Sequence, residues 1–177
     1  MLRIAGGAAV ALMLATAGCS GSSEEGSKPG ANAAEEDKPS SDLPSAGTMA
    51  EIETFVSARA TCLNLSVRPN DPDQEWVGEE WGIKERGVCG DENQAGTNLL
   101  VVNDMKAFQT QAKKQRRAYF IGKDFAVYAQ GSTTKEALQD SGLLFLVCKD
   151  REKIPSGYKK EPALVNGCVL TDYAHGF

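Results

Sequence analysis

The placement of the five cysteines constrains this chain more than any other feature of its sequence. Cys19 follows a short apolar run, whereas the other four lie in the C-terminal part, at Cys62, Cys89, Cys148 and Cys168. In an oxidising compartment an even group of four favours two disulfides. Three pairings are open: the short closures Cys62–Cys89 and Cys148–Cys168 form one, and a sheet could equally bring Cys89 towards Cys148. These four residues are therefore our disulfide candidates.

The N-terminal segment has the layout of a secretory signal peptide. A short positive region, Met1-Leu2-Arg3, precedes an apolar run from Ile4 to Ala15 and then three small residues. A permanent transmembrane helix is the poorer interpretation, because the run has about a dozen residues and a bilayer-spanning helix needs roughly 20. We therefore expect residues 1–18 to be a signal peptide that is removed.

The residues before the first cysteine carry a more specific signal. The stretch Leu14-Ala15-Thr16-Ala17-Gly18-Cys19 resembles the lipobox of bacterial lipoproteins, in which small residues precede an obligatory cysteine. The resemblance covers the first 20 residues, and Thr16 stands where that family most often has leucine. It implies that Cys19 is lipidated and becomes the first mature residue, so that acyl chains hold the protein on the extracytoplasmic face of the cell membrane. An ordinary secretory signal with a chance cysteine is the alternative.

Residues 19–48 lack the apolar residues that a folded core requires. From Ser20 to Thr48 the chain is mainly Ser, Gly, Ala, Pro, Glu and Asp, and Leu43 is the one large aliphatic residue. This composition predicts a disordered, lipid-anchored linker. We therefore expect the globular domain to comprise residues 49–177, a length that suits one core.

Cap residues predict three helices in this domain. The candidate N-caps are Thr48 with Glu51, Asn103 or Asp104, and Thr133 with Glu136. The first helix extends to about Ala60. The second carries Met105, Phe108 and Ala112 at helical spacing.

Apolar runs predict the strands, and the order of elements predicts the fold class. The predicted strands are Asn98–Val102, Ala118–Ile121, Phe125–Ala129 and Leu143–Cys148, the middle two forming a hairpin. From Asn98 the order is strand, helix, strand, strand, helix, strand, which is the split βαβ order of ferredoxin-like domains. We therefore expect a small α+β domain with a four-stranded antiparallel sheet, both motif helices on one face, and the N-terminal helix with the cysteine-bearing tails on the other. Residues 151–177 are expected to form loops with one strand at Ala163–Leu170.

The sequence predicts no catalytic, cofactor-binding or metal site. A Gly-x-Ser-x-Gly nucleophile elbow and a phosphate-binding loop are both missing. The one histidine, His175, lies at the C-terminal end, and no Cys-x-x-Cys pair occurs, so neither a histidine base nor a zinc site is expected. The acidic stretch from Asp71 places Trp76 and Gly82 where an EF-hand calcium loop needs glycine and glutamate, which favours a plain acidic surface loop over an irregular calcium site.

The two tryptophans, Trp76 and Trp81, lie in a polar segment between Cys62 and Cys89. Burial in the core is the favoured interpretation, because tryptophan buries a large area. A recognition loop is the alternative, because tryptophan is frequent in binding hot spots.

The densest basic run comprises Lys113, Lys114, Arg116 and Arg117. The domain is slightly acidic overall and faces outward, so nucleic acid is not an expected partner. A solvated helix end, where bases complement the helix dipole, is the favoured interpretation. Contact with anionic lipid headgroups or cell-wall polymers is the alternative.

The sequence thus predicts a membrane-anchored extracytoplasmic lipoprotein that is not an enzyme and that binds a partner. The membrane, through Cys19, is one expected partner, and an envelope protein or a cell-wall polymer is the other. Two alternatives remain: an enzyme or enzyme regulator whose site is formed by scattered residues, and a structural envelope protein. A deep pocket with paired carboxylates of raised pKa would favour an enzyme, and a flat patch over a closed core would favour binding.

Overall fold

The structure of the protein, a computed structural model, describes residues 42–67, 79–148 and 153–174. Its helices are α1 Met49–Ser57, α2 Met105–Gln115 and α3 Ser132–Gln139. Its strands are β1 Leu63–Val67, β2 Ile83–Gly90, β3 Gly96–Val102, β4 Phe120–Ile121, β5 Phe125–Ala129, β6 Leu144–Val147, β7 Glu161–Pro162 and β8 Val169–Thr171. A short 3₁₀ helix, Glu79–Trp81, precedes β2. The prediction of an α+β fold is confirmed.

The strands of the described residues form one eight-stranded sheet in the order β1-β2-β3-β5-β4-β6-β8-β7, and all neighbours are antiparallel. The prediction of an antiparallel sheet is confirmed, but the predicted four-stranded, ferredoxin-like arrangement is wrong. In that arrangement the last strand of the motif, here β6, would pair with the first, here β3. A short turn brings β2 to that edge of β3 instead, and β6 pairs with β4.

This strand order places α2 and α3 on opposite faces of the sheet. The helix α2 connects β3 to β4 across β5, and α3 connects β5 to β6 across β4. Both connections advance in the same direction along the sheet but begin on antiparallel strands, so right-handed crossovers lie on opposite faces. The buried clusters agree, since Phe108 of α2 clusters with Leu100, whereas Leu138 of α3 clusters with Leu99. The expectation that both helices share one face is therefore wrong.

The sheet has a hydrophobic core on each face. Residues Leu99–Val102 of β3 are all buried, because alternate side chains point into different cores. On the face covered by α2, called here the α2 face, Phe108 and Ala112 pack against the sheet. On the other, the α1/α3 face, Ile52 and Val56 of α1 join Leu138. The continuous apolar run in the sequence thus reflects a strand buried on both sides.

The folded chain begins before Met49. Leu43 belongs to the core of the α2 face, and Ala46 belongs to the core of the α1/α3 face. The amide of Ala46 donates to Asp124 Oδ1 at 2.7 Å, and the amide of Lys123 donates to the Pro44 carbonyl at 2.8 Å. The last residues of the segment predicted to be linker are therefore part of the domain, because its one large aliphatic side chain finds a place in the core.

The N-terminal caps follow the sequence prediction in two helices of three. Thr48 and Glu51 form the predicted capping box of α1, and the side chain of Asp104 caps α2. The N-cap of α3 is Gly131, which makes no side-chain capping bond. The predicted capping box at Thr133 does not form, because α3 begins at Ser132, one residue before it.

Two disulfides join Cys62 to Cys89 and Cys148 to Cys168. The alternative pairing of Cys89 with Cys148 is ruled out by the sheet, because β2 and β6 are four positions apart, or roughly 19 Å at the usual strand spacing. The predicted strand Ala163–Leu170 is mainly a loop, since β7 ends at Pro162 and β8 begins at Val169.

Candidate functional site

An open groove of about 780 Å³ lies beside β1 and β2. In β2, Cys89 belongs to the core of the α1/α3 face, and a Cβ atom added to Gly87 would lie 2.7 Å from Met49 Sδ of α1. The alternate residues Arg86 and Val88, which line the groove, therefore face the other side of the sheet. The groove is thus on the α2 face, at the end of the sheet where β1 is the outermost strand.

A guanidinium group is fixed on the floor of this groove. Arg86 is half-buried, and its Nε and Nη2 atoms donate to Asn98 Oδ1 at 3.1 and 2.6 Å. Asn98 is itself buried, in β3, directly between Val88 of β2 and Tyr128 of β5. The guanidinium of Arg86 is therefore held in position by a buried amide, on the same side of β2 as the apolar side chain of Val88.

The edge strand β1 forms the outer wall of the groove and exposes apolar side chains. Leu63, which lines the groove, is 50% exposed. Val67 is 42% exposed and, opposite Gly87, lies on the other face of the sheet. A bulge between Leu63 and Ser66, with Asn64 at a φ of 56°, interrupts the pairing of β1 with β2. The strand contains no charged residue and no proline, the usual means of keeping an edge from pairing with another chain.

The opposite edge of the sheet has a different character. Strand β7 has two residues, of which the second is Pro162. Lys159 forms an ion pair of 2.7 Å with Glu161, and the hydrogen bond and charge of that carboxylate raise the pKa of Lys159 above its usual value. Tyr158 is 39% exposed and its ring lies 4.7 Å from that of Tyr173. A short edge with proline and charged neighbours is protected from strand addition, and β1 is not.

Two adjacent carboxylates, Asp91 and Glu92, lie at one end of the groove. Asp91 is buried, and its Oδ1 atom accepts hydrogen bonds at 2.8 Å from the amides of Asn93 and Ala95. Its Oδ2 atom is so close to Gly131 that a Cβ there would lie 2.4 Å away. Asp91 therefore holds the β2–β3 turn against the start of α3, where a negative charge complements the helix dipole. This carboxylate has a structural role.

A smaller cleft, of about 160 Å³, lies on the other side of the same turn. It is lined by residues 59–61, which follow α1, by the β2–β3 turn and by one side of α3. Thr61 Oγ1 donates to Glu92 Oε1 at 3.3 Å, and Arg59 is folded back over the Phe55 ring at 3.9 Å. Thr61 and Glu92 thus bind each other, and Arg59 is held by its own helix.

The basic run occupies the C-terminal end of α2, as predicted. Lys113 Nζ donates to the Asn166 carbonyl at 2.6 Å. Lys114 is exposed, and Arg116 follows the helix in the left-handed conformation at a φ of 54°. Arg117 lies over the ring of Tyr128, 5.9 Å from its centroid. We call these four residues, Lys113, Lys114, Arg116 and Arg117, the basic end of α2.

Of the two tryptophans considered for a recognition loop, the structure describes Trp81 and places it in the core. Trp81 is 3% exposed, and its ring lies 6.1 Å from that of Phe108 in the core of the α2 face. Its burial agrees with the favoured interpretation and removes Trp81 from a recognition loop. Cys19, Trp76 and His175 lie outside the described residues.

No sequence pattern predicted the groove. Arg86 and Asn98 are single polar residues in segments without a motif, and they come together because β2 pairs with β3. No group of three or more His, Cys, Asp or Glu residues that could hold a metal ion occurs in residues 42–67, 79–148 and 153–174. In the same ranges, no helix has both the length and the apolar character needed to cross a bilayer.

Comparison of the chain with protein-family models, with curated proteins and with solved structures gives no match. The case for a function therefore depends on the surfaces described above.

Proposed function

We propose that this protein is a lipid-anchored extracytoplasmic binding domain whose partner-binding surface is the groove together with the edge strand β1. The observation that carries the proposal is the exposure of Leu63 and Val67 on an uncharged, unprotected edge. Apolar side chains on an open edge strand favour pairing with an extended segment of another chain, in which backbone hydrogen bonds supply affinity and adjacent pockets supply selectivity.

The composition of the groove supports binding over catalysis. Arg86 is already held by Asn98, and Oδ1 of Asp91 is engaged by two backbone amides. A charged group in a fixed position beside apolar surface suits recognition of a polar group on a partner. The two disulfides suit an oxidising extracytoplasmic location, and Cys19 in its lipobox would supply the anchor.

Site-specific photo-crosslinking in the native host tests this proposal. A photoreactive phenylalanine analogue replaces Leu63 or Val67 in the full chain, and the matched control carries it at Tyr158, an exposed aromatic position beside the opposite edge. We expect the same partner to be captured from both β1 positions and not from the control. The yield should fall severalfold when Arg86→Ala is added.

Equal capture from all three positions would show that contact is nonspecific and would contradict the proposal. An undiminished yield in the Arg86→Ala variant would remove the groove from the binding surface and leave only the strand edge.

A further inference from the structure

The chain enters the domain at one end of the sheet. The β4–β5 turn contains Lys123 and Asp124, whose backbone and side chain bind Pro44 and Ala46. Strand β3 also ends here, because the amide of Val102 donates to the Asp124 carbonyl at 2.9 Å. We call this the hairpin end of the sheet. The first described residues of the chain therefore pack at the hairpin end.

The basic end of α2 lies at the other end of the sheet. The helix begins directly after β3, at the hairpin end, and its 11 residues extend about 16 Å along the α2 face. The hydrogen bond from Lys113 to Asn166 fixes its C-terminus beside the loop that precedes β8. Cys168, in the same loop, is bonded to Cys148 at the far end of β6. The C-terminal end of α2 thus lies at the end of the sheet opposite the hairpin end.

The positive charge at the basic end of α2 exceeds the partial negative charge of the helix C-terminus. Residues 105–117 contain five bases and no acid. Lys113, Lys114 and Arg116 are exposed, and within the described chain no carboxylate forms an ion pair with any of them. The C-terminal dipole of a helix is equivalent to roughly half a negative charge, much less than these three positive charges.

We propose that the basic end of α2 binds a linear, phosphate-bearing polyanion of the cell envelope. The spacing of several cations on one helix end suits a flexible polymer with repeated charges, and the guanidinium of Arg116 matches phosphate oxygens through two parallel hydrogen bonds. The envelope as the source of this polymer rests on the proposed extracytoplasmic location.

Binding of linear inorganic polyphosphate to the full lipidated chain in neutral detergent tests this inference. The variant Lys113→Gln, Lys114→Gln, Arg116→Gln is compared with a control of equal charge, Lys84→Gln, Lys106→Gln, Lys123→Gln, whose lysines are exposed elsewhere. We expect the Kd to weaken by about tenfold in the first variant at low salt and to change little in the control. Raising the salt should weaken wild-type binding and reduce the difference between the variants.

Three results would overturn the inference. Equal losses of affinity in the two variants would reflect net charge alone. Tighter binding of polyglutamate than of polyphosphate would remove the preference for phosphate. Tighter binding of anionic than of neutral vesicles through the same three residues would point to the membrane. The intact mass of each preparation reports lipidation separately. A mass without acyl groups would contradict the lipid anchor. Polyphosphate binding by that same chain would still support the inference about the basic end of α2.

Discussion

Asp91 shows how one buried carboxylate can organise the region around the candidate site. Its carboxylate accepts hydrogen bonds from the amides of Asn93 and Ala95, while its backbone amide donates to the Ala95 carbonyl at 3.0 Å. The turn that it holds joins β2 to β3, lines the groove on one side and lines the smaller cleft on the other. The position of the groove wall thus depends on this residue.

We predict that Asp91→Ala destabilises the domain by about 1–3 kcal/mol, because two backbone donors lose their acceptor in a buried turn. Urea denaturation measures the change. The matched control is the neighbouring, exposed Glu92→Ala, which should change the free energy of unfolding by less than about 0.5 kcal/mol. Equal effects of the two substitutions would contradict the structural role of Asp91.

At the scale of the element, α1 depends on its capping box. The amide of Thr48 donates to Glu51 Oε2 at 3.0 Å, and the amide of Glu51 donates to Thr48 Oγ1 at 3.3 Å. We predict that Thr48→Ala lowers stability by about 1 kcal/mol, which thermal unfolding would detect. Thr54→Ala, in the exposed middle of the same helix, should have a much smaller effect because no helix terminus loses an acceptor. A larger loss at Thr54 would show that the cap is not what stabilises α1.

Helices and buried strands were predictable from local patterns, and the first two strands were not. The helices were predicted from their cap residues and from the helical spacing of their apolar residues, and β3, β5 and β6 are continuous apolar runs. Strand β2 contains Lys84, Glu85, Arg86 and two glycines, and has little intrinsic preference for a strand. It forms because it pairs with β3 along its length in a hairpin and is bonded to Cys62, contacts that the composition of β2 itself does not reveal. The groove depends on β2, so it could not be predicted either.

At the scale of the whole molecule, the strand order decides what covers each face. A correct order of elements from β3 to β6 was not sufficient to predict the fold, because the same order with β6 beside β3 would place α2 and α3 on one face. The hairpin of β2 with β3 changes the result, because β2 occupies the edge of β3 that β6 would otherwise take. It gives one sheet with two cores and leaves β1 as an exposed edge.

Because both cores share the sheet, we predict that they unfold together. Phe108→Ala on the α2 face and Leu138→Ala on the α1/α3 face should each cost about 2–5 kcal/mol. In each variant, tryptophan fluorescence and far-ultraviolet circular dichroism should report the same denaturation midpoint. Fluorescence midpoints that shift only with Phe108→Ala, while dichroism shows a second transition, would contradict a single cooperative unit.

The central claim is that the domain is presented outside the membrane by a lipid on Cys19 and stabilised by two disulfides. Mass spectrometry of the protein isolated from its native host, before and after reduction, tests it most directly. We predict a chain that begins at Cys19, carries acyl groups there, and yields peptides linked as Cys62–Cys89 and Cys148–Cys168. A chain that retains Met1, with Cys19 unmodified, would contradict the claim.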